Sequence, residues 1–385
     1  QINWLVARHR RLRKGPIQQR DSCHFRGFST ASTHKFSRPC EFLRTGRLQR
    51  LVSPLVNPAV FDFWAGKINA LWSWNRVLAR IVERRPEAAD AVTLVLQPNR
   101  RFGGFQPGQH LNLSAEVNGR RLTRSYSLTG LPRQDGRLSL TVKQVAGGVF
   151  STHLCRHARV GDVVELGPAF GELDVPSARR AQPQLFLAAG SGITPLMGLT
   201  RALAAAGFPG DLTLLYWVRT RAELCFVREL RALAADSSGR FRVRFVLTRE
   251  AASLPDECEG RLSADGLSRL VPDLAQFHVS CCGPAGFVST ALALAGSAAR
   301  SFQAESFTPP SFGSDAAGTV QVHLARSGRT LNVPSGVSLL AALEAQGLQP
   351  DYGCRMGICN TCSCQKQSGT TTDTRNGATQ SEPGA

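Results

Sequence analysis

QLFLAAGSGITPLMGLTRALAAAG, residues 184–207, is the stretch on which the fold turns. Its opening run is apolar and too short for a helix, so it reads as a strand buried on both faces. Gly190-Ser191-Gly192-Ile193-Thr194-Pro195 breaks the run, and apolar residues at helical spacing follow. Strand, glycine turn and helix in that order suit an anion. Glycines let a pyrophosphate approach the backbone closely, and the helix N-terminus supplies free N–H groups. The turn is not G-x-G-x-x-G, but its backbone logic is the same.

Downstream, the alternation continues. LTLLYWV (212–218) precedes a helical pattern, RAELCFVRELRALAA (221–235), and then an alternating strand, RFRVRFVLTRE (240–250). RLSADGLSRLV (261–271) reads as a helix with Ser263 and Asp265 near its start. QFHVSCCGPAGFVSTALALAG (276–296) reads as strand, turn, helix. Strands alternating with helices predict an α/β domain with a doubly wound parallel sheet over 183–305. Upstream, VTLVLQP (92–98), HLNLSAEV (110–117), SYSLTG (125–130), RLSLTVKQV (137–145) and DVVELGPA (162–169) predict an antiparallel β-barrel over 76–178. SARRAQPQ (177–184) is the linker between the two. A second linker, SFTPPSFGSDAAG (306–318), leads to a small α+β domain over 318–385: strands TVQVHLA and RTLNVP, a helix SLLAALEAQG, and a cysteine loop.

The chain has 385 residues, 42% of them hydrophobic, which is material for two or three packed domains and excludes wholesale disorder. No apolar run approaches 18 residues, so no spanning helix is expected. The net charge of +18 is uneven: residues 1–50 hold 12 Lys/Arg against 2 Asp/Glu. This basic arm reads as disordered, as a transit peptide, or as upstream sequence translated in error. It lacks interleaved aromatics, so no nucleic-acid partner is expected. The first residue is Gln, which suggests processing or a fragment. The lead-in over 51–75 contains PLVNPAVFDFWAGKINALWSW (54–74) with three of the five tryptophans. It reads as an amphipathic helix at a membrane interface or against a partner, or as a helix packed on the body.

Four of the eleven cysteines lie together: Cys354, Cys359, Cys362 and Cys364. Cys354-x4-Cys359-x2-Cys362 is the spacing of plant-type [2Fe–2S] centres, and it implies a reducing, cytoplasmic setting. Gly353 and Gly357 let the backbone wrap the sulfurs. A zinc site or plain surface thiols are the alternatives, but paired zinc knuckles are missing. No cysteine follows Cys364, which lies two residues from Cys362 and is poorly placed to close the cluster from across it. The fourth ligand is thus missing from this chain, and truncation at the C-terminus is the expected reason.

Arg124-Ser125-Tyr126-Ser127 falls on a predicted barrel strand. Arg suits a phosphate, and Tyr two residues on faces the same side. By itself this reads equally as an ordinary amphipathic strand. Gly147-Gly148-Val149-Phe150-Ser151-Thr152 precedes a short helix, HLCRHA, so it reads as a phosphate-binding turn, a plain N-cap, or both. Cys281-Cys282-Gly283-Pro284 lies at a strand-to-helix turn, as small residues near a flat ring or as buried core.

With RSYS, GGVFS, GSGITP and CCGP in this order, the chain resembles the ferredoxin–NADP reductase superfamily. With the cysteine loop appended, it resembles reductases that fuse a flavin barrel, a nicotinamide domain and a C-terminal plant-type (β-grasp) ferredoxin domain. The lead-in and CRMGIC are most similar to reductase partners of membrane desaturases. The resemblance implies that Arg124, Tyr126 and Ser127 bind flavin, with Ser127 beside flavin N5. Gly148, Val149 and Ser151 would cover its phosphates. Gly190, Gly192, Thr194 and Pro195 would bind the dinucleotide, with Cys282 and Gly283 at the nicotinamide; Ser127 and Cys282 are the expected catalytic pair. Glu305 and Phe307 match a Glu-x-Phe element near the flavin, with a plain linker as the alternative. FAD is favoured over FMN. Arg219 and Arg221, with no acid beside them, favour NADPH over NADH, unless they are solvated surface residues. Cys354, Cys359 and Cys362 would hold iron.

The expected function is passage of electrons from NAD(P)H through flavin and cluster to a separate oxygenase or fatty-acyl desaturase, with a peripheral membrane contact through 54–74. The alternatives are the reductase of a soluble aromatic-ring oxygenase, a flavin or ferric reductase without a working cluster, and a zinc-bound nucleic-acid module.

Overall fold

The computed structural model describes residues 57–307 and 318–348, and beyond them 350, 352, 357, 362–373 and 379–384. Helix α1 (Pro58–Ile68) leads in, with proline at its first position, where a missing N–H costs nothing. It is shorter than the 54–74 stretch.

Six strands follow: β1 (Val77–Ala88), β2 (Ala91–Pro98), β3 (His110–Val117), β4 (Arg120–Ser127), β5 (Leu138–Lys143) and β6 (Val163–Phe170). They form one antiparallel sheet in the order β4-β3-β6-β1-β2-β5. A bridge between Leu128 and Leu140 and the bond from Thr129 N–H to the Ser139 carbonyl join its two edges into a barrel. Leu94, Leu96, Leu111, Leu113 and Leu140 fill it. Strand β1 was not predicted. Its inner residues alternate, but the Glu-Arg-Arg-Pro run at 83–86 is exposed or half-buried and masks the period. The turn after β5 enters a four-residue helix, Val149–Thr152, continued by a π turn over His153–His157.

The second sheet contains β7 (Gln184–Ala189), β8 (Leu212–Val218), β9 (Phe241–Leu247), β10 (Glu257–Glu259), β11 (His278–Gly283) and β12 (Ser301–Ser306). All its pairs are parallel, in the order β10-β9-β8-β7-β11-β12. Every residue of β7, β8 and β11 is buried, as expected for strands covered on both faces. Helices α2 (Ile193–Ala205), α3 (Val227–Asp236), α4 (Ala264–Leu270) and α5 (Ala285–Ala295) provide the cover. The order reverses between β7 and β11. That switch point opens a crevice at the C-terminal strand ends.

Helix α3 starts at Val227, six residues later than the pattern suggests. Phe226 adopts a left-handed φ of 61°, and its N–H donates to Glu87 Oε1 of the barrel at 3.0 Å. The contact between domains overrides the local helix signal. Arg201 donating to the Thr129 carbonyl (2.5 Å) and Gln303 donating to the Asp174 carbonyl (2.7 Å) join the domains elsewhere.

After the second linker, β13 (Thr319–Leu324) and β14 (Arg329–Pro334) form a hairpin over α6 (Leu339–Ala345), which is capped by Ser338. Two short strands, Thr371–Thr372 and Thr379–Gln380, pair beyond the cysteine loop.

Candidate functional site

A cavity of about 470 Å³ lies where the barrel meets the parallel sheet. That is the size of ordinary cofactor pockets. The barrel supplies Arg124, Tyr126 and Ser127, along with Gly148, Val149 and Ser151; the α/β domain supplies Thr194, Pro284 and Phe307. Residues far apart in sequence thus share one wall.

The local structure explains each placement. Arg124 and Tyr126 are alternate residues of β4, so they share a face. Tyr126 is half-buried against Phe150, with ring centroids 6.2 Å apart. Ser151 Oγ accepts the Val145 N–H at 3.1 Å and donates to the Gly148 carbonyl at 3.3 Å, which fixes the glycine turn. Thr194 Oγ1 donates to the Ser191 carbonyl at 2.9 Å. Gly190 takes a positive φ of 55° at the end of β7. Gly192 lies directly against the end of β11: a Cβ there would overlap the Cys282 carbonyl and lie 2.7 Å from Gly283 N.

Four lining residues carry no motif signal in the sequence, His110, Thr141, Lys143 and Val145, and two of them are ionisable. His110 on β3 is the register partner of Ser127 on the neighbouring strand β4. Lys143 ends β5, with Nζ 2.9 Å from Glu223 Oε2 and 3.3 Å from Asp90 Oδ2. A lone histidine at a strand start gives no signal beyond burial, and Lys143 reads as a solvated strand end. Only the cross-strand register reveals them.

His110 and Glu305 meet across the domain boundary, with Nδ1 3.1 Å from Oε1. The contact is too poorly aligned for a hydrogen bond; both His110 ring nitrogens and Glu305 Oε2 are buried without a partner. Burial pushes Glu305 up to about 7 and His110 down to about 4. We therefore read the pair as neutral rather than as an ion pair. A carboxyl raised by burial adds stability that is complete below its ordinary value near 4.5 and is lost as pH rises through about 7. His110, lowered, adds stability that is lost as pH falls through about 4. Glu305→Gln removes the first dependence only. Its stability relative to the parent should rise by about 2 kcal/mol between pH 5 and pH 8, read by chemical denaturation at each pH. A pH-independent difference would refute a buried neutral carboxyl.

Two sequence assignments are revised. The Cys282 thiol does not line the cavity. It is fully buried, donates to the Glu305 carbonyl at 3.3 Å, and burial holds it well above the ordinary thiol range, so it is no acid–base group. The Cys282–Gly283 backbone meets the site instead. Arg221 is also committed elsewhere: it donates to both Glu257 oxygens at 2.8 and 2.7 Å and pairs with Glu250. Arg219 extends outward, 56% exposed, with Nε 2.7 Å from Glu223 Oε1. Burial alone would raise Glu223, but its bonds to Lys143 and Arg219 override that and hold the carboxyl below its ordinary range.

Cys354 and Cys359 lie outside the described residues; Cys362 is half-buried and Cys364 exposed. Nearby, Arg124 lies 5.6 Å over the Tyr352 ring, so the start of the cysteine loop reaches the wall of the cavity.

A flavin fits this cavity. Arg124 and the 148–151 turn suit phosphates, Tyr126 suits a flat ring, and the unpartnered ring nitrogens of His110 on the cavity wall suit a polar partner; Glu305 lies behind His110 and does not line the cavity. The soft thiolates of the cysteine loop suit iron–sulfur. The architecture is that of a flavin- and nicotinamide-dependent oxidoreductase with an iron–sulfur domain.

Comparison with known proteins agrees. Residues 79–174 match the oxidoreductase FAD-binding domain, 186–292 the oxidoreductase NAD-binding domain, and 322–384 the 2Fe-2S iron-sulfur cluster binding domain. An "NADPH oxidoreductase" of Mycobacterium tuberculosis is 35% identical over 348 residues, covering 88% of this chain and 87% of that protein. The "3-ketosteroid-9-alpha-monooxygenase, ferredoxin reductase component" of the same species is 33% identical, covering 76% and 84%. The structure of phthalate dioxygenase reductase matches with a TM-score of 0.54 at 22% identity, covering 80% of this chain and 95% of that one, a likeness of fold. The chain belongs to the ferredoxin–NADP reductase superfamily, in the branch that joins FAD-binding and NAD-binding domains to a C-terminal [2Fe–2S] domain.

Proposed function

We propose that this protein takes electrons from NADPH through FAD and a [2Fe–2S] cluster and delivers them to a separate oxygenase or membrane fatty-acyl desaturase. The observation that carries the reading is the cavity between barrel and parallel sheet, with Arg124, Tyr126 and Ser127 on one side and Thr194 and Pro284 on the other. A flavin held in this cavity would supply two-electron chemistry with one-electron release, and a cluster held by the cysteine loop would supply one-electron transfer.

The chain's own residues position the groups. Arg124 and the 148–151 turn would hold the flavin's phosphates, Tyr126 would pack on its ring, and Ser127 would offer its hydroxyl to the reacting nitrogen. Glu305, with His110 against it, holds or accepts a proton at its carboxyl oxygen. Gly190, Gly192, Thr194 and Pro195 would seat the dinucleotide, Gly283 would border the nicotinamide, and Phe307 lines the flavin cavity. Cys354, Cys359 and Cys362 supply three cluster ligands. Iron and sulfide counts in Cys364→Ala show whether Cys364 supplies the fourth.

Arg219 favours NADPH because its guanidinium is outward at the end of β8, where a ribose 2′-phosphate falls in this fold. Arg219→Ala should raise the KM for NADPH about tenfold and leave that for NADH unchanged. Equal effects on both would assign the residue to the surface.

For the acceptor, the exposed aromatic lead-in supports a desaturase at a membrane, and with it a cytoplasmic protein peripheral to that membrane. The oxygenase relatives support a second reading, the reductase of a soluble oxygenase. The deciding experiment counts flavin, iron and acid-labile sulfide in the purified protein, then follows NADPH-driven reduction of each acceptor. Flavin with two irons and two sulfides is expected. A protein without flavin would overturn the reading.

A further inference from the structure

Helix α1 presents its apolar side to solvent. Phe63, Trp64 and Ile68 are 59%, 64% and 77% exposed, and Trp72 just beyond extends the row. Trp64 and Ile68, four residues apart, share one face, and the Phe63 ring packs edge-on against Trp64 with centroids 5.2 Å apart, so the three form a continuous patch. Among the described side chains of α1, only Ala65 is buried.

The segment is nevertheless firmly attached. Asp62 accepts from Ser73 Oγ at 2.9 Å and from the Trp74 N–H at 2.5 Å. Arg101 donates to the Ser73 carbonyl at 3.1 Å, and Asn99 donates to the Leu71 and Arg76 carbonyls at 3.1 and 3.0 Å. Trp74 packs edge-on against Phe61. Polar bonds to the barrel thus display an apolar row outward. A helix that served only the body would turn that row inward.

Charge identifies the occupant. Lys67 lies 5.6 Å from the Phe63 ring, and Arg100 and Arg101 are exposed beside the clamp. The one acid between residues 51 and 75, Asp62, is used inside the clamp, and the preceding 50 residues carry 12 Lys/Arg against 2 acids. Aromatic rings beside cations match the boundary between acyl chains and anionic headgroups.

We propose that Phe63, Trp64, Ile68 and Trp72 form an anchor that seats this protein on an anionic lipid bilayer. The proposal rests on the membrane reading of the acceptor. Its test needs no acceptor, so the two can fail separately.

The experiment mixes the full chain, flavin bound, with phosphatidylcholine vesicles with or without phosphatidylglycerol. Co-sedimentation and tryptophan emission are followed for the parent and for Phe63→Ser/Trp64→Ser/Ile68→Ser. The parent should bind the anionic vesicles with a blue shift, and the triple variant should lose at least about tenfold in binding. NADPH–ferricyanide activity and flavin content should stay unchanged, which reports on folding; if the triple variant misfolds, Ile68→Glu replaces it. The proposal is overturned if the parent ignores anionic vesicles, or if the variant binds equally, which would assign binding to the basic arm. It is also overturned if the parent is a lipid-independent dimer that the variant breaks.

Discussion

Gly192→Ala should slow hydride transfer from NADPH by at least about a hundredfold while leaving the flavin in place. The reason is a contact between two strand ends. Gly192 lies where β7 turns into α2, and its missing side chain is the space taken by the Cys282 carbonyl and Gly283 N at the end of β11. These are backbone atoms of a fully buried central strand, held to β7 and β12 by its ladders. They cannot give way as a flexible side chain could. Overpacking of this kind costs about 1–3 kcal/mol and forces the backbone to shift. The shift falls at the switch point, where the dinucleotide must lie. We expect kcat/KM with NADPH to fall by at least about a hundredfold, since small misplacements of a reacting group cost that much. The barrel has its own core, so flavin content should remain near the parent's. Steady-state kinetics with the flavin absorbance of the same preparation tests both halves. Parent-like activity would show that the two turns separate freely.

Much of the architecture was legible because burial wrote it into the sequence. Strands β7, β8 and β11 are buried throughout; β7 and β8 read as mostly apolar runs, β11 is shorter and carries His278 and Ser280, and a glycine turn follows β7 and β11. What was not legible depends on register or on contacts between domains. Strand β1 hides behind its solvent-facing Glu-Arg-Arg-Pro. Helix α3 loses its first turns to a bond between Phe226 and Glu87 of the other domain. Arg221 looked free by composition, but Glu250 and Glu257, some thirty residues on, claim it. His110 could not be singled out because its meaning comes from facing Glu305 and Ser127, which only the folded chain brings together. Spacing within one turn identified candidate ligands; pairing across strands decided which side chains reach them.

The cysteine loop gives the second large effect, because it separates the two halves of the electron path. Cys359 is the middle residue of Cys354-x4-Cys359-x2-Cys362, and each thiolate in such a set holds iron directly. Replacing it by alanine leaves too few sulfurs for the cluster. The flavin cavity is built from 110–151, 191–194 and 284–307, so it should be untouched. Cys359→Ala should therefore keep flavin and lose iron. NADPH oxidation with ferricyanide, which can draw electrons at the flavin, should persist within about twofold. Reduction of an acceptor that depends on the cluster should fall by at least about a hundredfold. Arg124 over Tyr352 puts the residue two positions before Cys354 against the cavity wall. The measurement is the ratio of the two activities, read with iron per flavin. If both activities fell together, the loop would be a structural element of the flavin site. If neither fell, electrons would leave from the flavin, and the C-terminal domain would have no part in delivering them.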